Sequence, residues 1–193
     1  GGLIKGLKLQ DYVNSMVKNK PLELLKKPFA VVATQLETGQ RTVFTRGNTG
    51  QAVRASSSVP GVFEPVKIGK FSYVDGGIVS PVPVDAARQL GAELVIAVDI
   101  SSKASGKTPE DMLGIVNQSI MIMGQKLGEQ ELARADVVIR PRVNAIGPAE
   151  FEQKNQAILE GEKAALAALP LIRARISQIQ KAKLAAALPN GKR

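Results

Sequence analysis

Apolar and polar residues along the chain fall into two spacings, and the switch between them marks the predicted elements. Leu9, Tyr12, Val13 and Met16 recur at helical intervals, so Leu7 to Lys18 predicts an amphipathic helix that stops before Pro21. Phe29 to Gln35 has strand composition, Glu37-Thr38-Gly39 is a turn, and Arg41 to Thr45 predicts the antiparallel partner. Residues from Gly50 to Ser57 return to a helical pattern, which Val59-Pro60-Gly61 breaks. Val66 to Ile68, a Gly69-Lys70 turn and Phe71 to Val74 predict a second hairpin, placing Asp75 where a strand opens into a loop.

The second half reads differently. After Pro81 and Pro83 a short helix is expected from Asp85 to Leu90, and Leu94 to Val98 is a continuous apolar run of the kind found in strands buried on both faces. Thr108-Pro109-Glu110-Asp111 predicts a helix start, with a capping hydroxyl and first-turn acids, and that helix is expected to reach about Arg134. Val137 to Arg140 predicts another buried strand. Ala157 to Leu169 predicts a helix that Pro170 ends, followed by a final helix and a frayed tail. Strands alternating with helices argue for an α/β layer fold with a mainly parallel sheet, to which the hairpins are additions. No repeat and no linker divides the chain, so one unit is expected over residues 1–180, with a basic tail at 181–193.

Composition removes whole classes of chemistry. The 193 residues contain neither cysteine nor histidine, so no disulfide framework, thiolate site or histidine-based triad can be assembled from them. Any general base must be a carboxylate, lysine or tyrosine. A formal charge of +9 favours anionic surfaces, whether lipid headgroups or nucleic acid; the aromatic content of 4% without tryptophan weakens base stacking, so no nucleic-acid partner is expected. No apolar run approaches the roughly 18 residues of a membrane-spanning helix. The expected location is cytoplasmic or peripheral to a membrane.

Several short motifs suggest chemistry that their surroundings do not support. Gly106-Lys107-Thr108 lies between a strand and a helix, but a phosphate-binding loop requires glycine where Ser101 stands. Ser15-Met16-Val17-Lys18 matches Ser-x-x-Lys without its companion motifs, and Ser56, Ser57 and Ser58 read as helix packing and capping. No Gly-x-Ser-x-Gly elbow occurs. Asp99, at the end of a predicted buried strand, is a second polar candidate and reads as structural.

Asp75-Gly76-Gly77 alone would be a turn signal, since aspartate and glycine tolerate tight reversals. Its context is more specific. Arg54-Ala-Ser-Ser-Ser-Val-Pro-Gly-Val-Phe63, Pro65, Tyr73-Val-Asp-Gly-Gly77 and Ser80-Pro-Val-Pro-Val84 form an ordered set that resembles the second half of a patatin-like phospholipase domain. The resemblance starts at Gly1-Gly-Leu-Ile-Lys-Gly6 and continues through Gly91 to Asp99 and Ala135 to Pro141.

The resemblance implies a three-layer α/β acyl-hydrolase architecture whose N-terminal part, with the oxyanion loop and the serine elbow, is not in this sequence. It implies a Ser-Asp dyad of bacterial patatin or neuropathy target esterase type, with Asp75 as the dyad aspartate and Gly76 and Gly77 beside it. The expected substrates are lysophospholipids, phospholipids or simpler fatty esters, with no metal and no cofactor and with peripheral contact to anionic membrane. The chain alone is expected to be inactive, for lack of the nucleophile. The alternative is a fragment or degenerate member that binds lipid or protein without catalysis.

Overall fold

The computed structural model describes residues 4–101, 108–146 and 150–187. Its first half is an antiparallel sheet in the order β2-β1-β4-β3, built from β1 (Val31–Gln35), β2 (Arg41–Phe44), β3 (Val66–Ile68) and β4 (Phe71–Asp75). Both predicted hairpins form. Their turns place Gly39 at φ 72° and Gly69 at φ 62°, in the left-handed region that glycine enters without a Cβ clash. All five residues of β1 are buried because the strand is central, paired with β2 on one side and β4 on the other. The rings of Phe44 and Tyr73 meet edge to face across this sheet, with centroids 4.9 Å apart.

One helix covers the sheet, and a second packs across that helix. Helix α2 (Thr49–Ser56) lays Ala52 and Ala55 against it, and such small side chains let the helix sit close. Asn48 caps α2 by accepting the Gln51 N–H at 2.8 Å. Helix α1 (Leu7–Met16) crosses α2 at Gly50, where an added Cβ would lie 2.3 Å from the Gln10 carbonyl oxygen. Asn14 fixes that crossing: its Oδ1 accepts the Gly50 N–H and its amide donates to Asn48.

The second half contains α3 (Val84–Gln89), β5 (Ile96–Val98), α4 (Met112–Leu132), β6 (Val137–Ile139) and α5 (Lys154–Ala187). Strands β5 and β6 pair in parallel, and Val82, Val84, Val95, Ala97 and Leu132 form the core beneath them. The mixed α/β class holds. The parallel pairing among the described residues, however, is this pair and an isolated Ile4–Phe63 bridge, while the larger sheet is antiparallel throughout: tight turns join β1 to β2 and β3 to β4, and β1 and β4 pair antiparallel at its centre.

Three details differ from the sequence expectations. The run through Val98 is not buried on both faces: Ala97 is buried, but Ile96 and Val98 are 39% and 52% exposed, since the shared core covers only one side of β5. Helix α4 begins at Met112 rather than Thr108, because Asp111 supplies the cap by accepting the Gly114 N–H at 2.7 Å. Pro170 does not end a helix; α5 runs through it for 34 residues. Proline removes one N–H, a local loss, and the alanine- and leucine-rich turns on either side favour helix strongly enough to continue. Residues 181–187 of the expected tail belong to α5, and 188–193 lie outside the described residues.

Candidate active site

The end of β4 delivers Asp75 to the mouth of a pocket of about 430 Å³. Antiparallel pairing sets its place: Ala33 of β1 stands opposite Asp75, and the Thr34 hydroxyl donates to the Asp75 carbonyl at 2.7 Å. From the other side the Asp75 N–H donates to the Ser58 carbonyl at 3.0 Å, just past the end of α2. The backbone of Asp75 is thus held by both layers, and its side chain has little freedom to wander.

A single 3-10 turn over Gly76–Ile78 follows, which Asp75 caps by accepting the Gly77 N–H on Oδ1 at 2.6 Å. Oδ2 has no partner among the described residues. Gly76 is required by close approach: a Cβ there would stand 2.2 Å from the Val32 carbonyl oxygen. At Gly77 a Cβ would press to 3.0 Å of Asp75 Oδ1. Both glycines therefore let the backbone fold tightly around the carboxylate.

Phe29, Val31, Val32, Val53, Pro81 and Pro83 give the pocket its apolar walls. Asp75 is half-buried against them, and loss of solvent pushes its carboxyl above the ordinary aspartate range, with the Gly77 N–H opposing that rise. A carboxylate made more basic by partial burial, beside an apolar-walled cavity, is suited to removing a proton from a weakly acidic hydroxyl.

The three consecutive serines separate in space. Ser58 is buried and its hydroxyl donates to the Arg54 carbonyl at 2.7 Å, so packing explains it. Ser56 and Ser57 line the same pocket as Asp75, a proximity that helical spacing does not reveal. Ser15 donates to the Tyr12 carbonyl within α1. Gly106 and Lys107 lie outside the described residues. Sequence reading also missed Glu131, which reaches from α4 to the segment just after the Asp75 turn; its charge gave no signal among the other charged residues of that helix.

Asp99 belongs to a different environment that shares no lining residue with the Asp75 pocket. Burial would raise its carboxyl, but the Ser101 hydroxyl and N–H, together with Arg140 at 3.4 Å, outweigh that and hold it below the ordinary range. A satisfied ion pair accounts for it. Among the described residues no cluster of three acidic side chains is arranged to hold a metal ion.

The fold and the pocket define an α/β protein with an aspartate at the tip of a strand, facing an apolar cavity. Residues 1–88, which contain that aspartate, match the model of the patatin-like phospholipase family. An uncharacterized NTE family protein of Mycobacterium tuberculosis is 34% identical over 105 residues, covering 54% of this chain and 29% of its own length. A second such protein from the same organism is 28% identical over 192 residues, covering 86% of this chain and 33% of its own. The patatin-like phospholipase domain-containing protein 7 of Mus musculus is 30% identical over 103 residues, 52% of this chain and 8% of that protein. The chain thus spans about a third or less of each of these relatives.

Proposed function

We propose that this chain supplies the general base and an acyl-binding wall of a lipid acyl hydrolase, with a serine nucleophile contributed by residues outside this sequence. The observation that carries the reading is Asp75 itself: a half-buried carboxylate with raised proton affinity, followed by a glycine, Gly76, that close packing on Val32 requires, at an apolar pocket, inside the stretch that matches the patatin-like family.

In this mechanism the Asp75 carboxylate takes the proton of the serine hydroxyl as its oxygen attacks the ester carbonyl. The tetrahedral intermediate collapses to an acyl-enzyme, and the proton passes from Asp75 to the departing alcohol. Water then enters and attacks the acyl carbonyl as it loses a proton to Asp75; the serine oxygen leaves and takes that proton back, which frees the fatty acid and restores both groups. No histidine is needed, in keeping with a sequence that contains none. Phe29, Val31, Val32 and Val53 provide apolar surface for the acyl chain, so lysophospholipids, phospholipids and simpler fatty esters are the proposed substrates.

In full-length protein containing this chain, Asp75→Asn should lower kcat for a p-nitrophenyl fatty ester by about 10²- to 10⁴-fold, the usual contribution of a general base. Circular dichroism should show the fold retained. Undiminished hydrolysis in the Asn variant would remove Asp75 from the mechanism. An unmodified protein that neither hydrolyses esters nor reacts with a fluorophosphonate would favour a lipid-binding or protein-binding module instead.

A further inference from the structure

Among the described residues Glu131 is the one charged side chain that is fully buried, at 5% exposure. It lies in the last turn of α4, where the negative end of the helix dipole disfavours a carboxylate, and removal from water disfavours it again. A leucine of similar size would fill the space without either cost. What the carboxylate adds is two directed hydrogen bonds: Oε1 accepts from the Ser80 hydroxyl, and Oε2 accepts the Val82 N–H at 2.8 Å.

Both donors belong to one short segment, and that segment is tied to the Asp75 turn. The Ser80 N–H donates to the Gly76 carbonyl at 2.9 Å, and the Val79 N–H donates to the same oxygen at 3.2 Å. Pro81 and Pro83 carry no N–H, so Val82 offers the sole amide between them and Glu131 takes it. Two glycines, Gly124 and Gly128, lie on the face of α4 that carries Glu131, where an added Cβ would meet the Asp75 turn and Pro81 at ordinary van der Waals distance. At Gly128 a Cβ would lie 3.5 Å from Pro81 Cγ, and at Gly124 one would lie 3.8 Å from the Gly77 carbonyl oxygen. Ser80, Pro81 and Pro83 also line the Asp75 pocket, so the segment gripped by Glu131 is one of its walls.

The geometry points to Glu131 as a positioning residue for Asp75: by holding Ser80 and Val82 it fixes the 76–80 turn and the pocket wall that partly desolvates the base. This inference rests on the reading of Asp75 as general base, but its test has an arm that does not need activity. Glu131→Leu and Ser80→Ala should each move the Asp75 carboxyl titration, followed by ¹³C NMR in this chain, down toward the ordinary aspartate value as the turn loosens and water enters. In the active full-length protein the same variants should lower kcat by about 10- to 100-fold with KM little changed, as expected for a misplaced base. The acid limb of the pH-rate profile should move to lower pH. Glu131→Gln should restore most of the effect, because its amide oxygen can accept the Val82 N–H and its amide nitrogen can donate to the Ser80 hydroxyl.

The inference is overturned if Glu131→Leu and Ser80→Ala lower the melting temperature yet leave the Asp75 titration and kcat at their unmodified values, which is what a purely structural role would give. Should Glu131→Leu fail to fold, Ser80→Ala, which removes one hydrogen bond and almost no volume, decides the question. Retained activity in Asp75→Asn would instead defeat the base assignment, while the NMR arm would still report whether Glu131 positions Asp75.

Discussion

Asp75 is under two opposing influences: burial disfavours its charge, and the Gly77 N–H supports it. Burial wins, so the folded-state pKa stands above that of the unfolded chain. For a group with a raised pKa the associated stability is fully present below the unfolded value, near 3.9, and is lost as pH rises through the folded value. At neutral pH the ionised side chain is therefore a net burden on the fold. Asparagine keeps an oxygen for the Gly77 N–H and removes the charge, so Asp75→Asn should melt higher than the unmodified chain at pH 7 and lose that advantage below about pH 4. Melting curves across this range check it; an Asn variant less stable at pH 7 would contradict the burial argument. The substitution that removes the proposed activity is thus expected to stabilise the protein. The sequence made Asp75 legible through the Asp-Gly-Gly turn and its flanking motifs, but its proton affinity depends on Val32, Phe29 and Pro81, which are distant in the chain or contribute only shape.

At the scale of elements, the site is a junction of β4, the end of α2 and the face of α4. Gly76 is the tightest point, because its missing side chain lets the turn lie against the β1 backbone at Val32. Backbone cannot yield as a flexible side chain would, so Gly76→Ala should destabilise the fold by about 1–3 kcal/mol, the usual range for overpacking. Chemical denaturation of the two forms gives that difference directly, and a change within error would mean that β1 and the turn are not so closely apposed. The two hairpins and α1, α2 and α3 were legible because turn chemistry and 3.6-residue periodicity are local signals. The one-sided burial of β5 was not, since an apolar run is the same whether one face or both are covered. Nor was the passage of α5 through Pro170, where summed helix propensity overcomes one lost hydrogen bond.

At the scale of the whole molecule, the formal charge of +9 is the basis of a proposed electrostatic attraction to anionic lipid. Each Lys or Arg near such a surface contributes about 1 kcal/mol, and the contribution falls as salt shortens the screening length. We predict that this chain sediments with vesicles containing anionic phosphatidylserine and is released as salt is raised. Binding that persists unchanged at high salt, or that is equal on neutral vesicles, would rule out an electrostatic approach to the membrane. No helix among the described residues is long and apolar enough to cross a bilayer.

The sequence by itself determined the α/β class, both hairpins, the turn that carries Asp75 and that no histidine or cysteine of these 193 residues takes part, because each of these depends on local propensity or on which side chains exist at all. Tertiary structure alone decided that Ser56 and Ser57 share a pocket with Asp75, that Gly76 lies on Val32, and that Glu131 grips Ser80 and Val82 from 51 and 49 residues away. Burial, desolvation and hydrogen-bond partnership are properties of what surrounds a group, and most of what surrounds Asp75 comes from elsewhere in the chain.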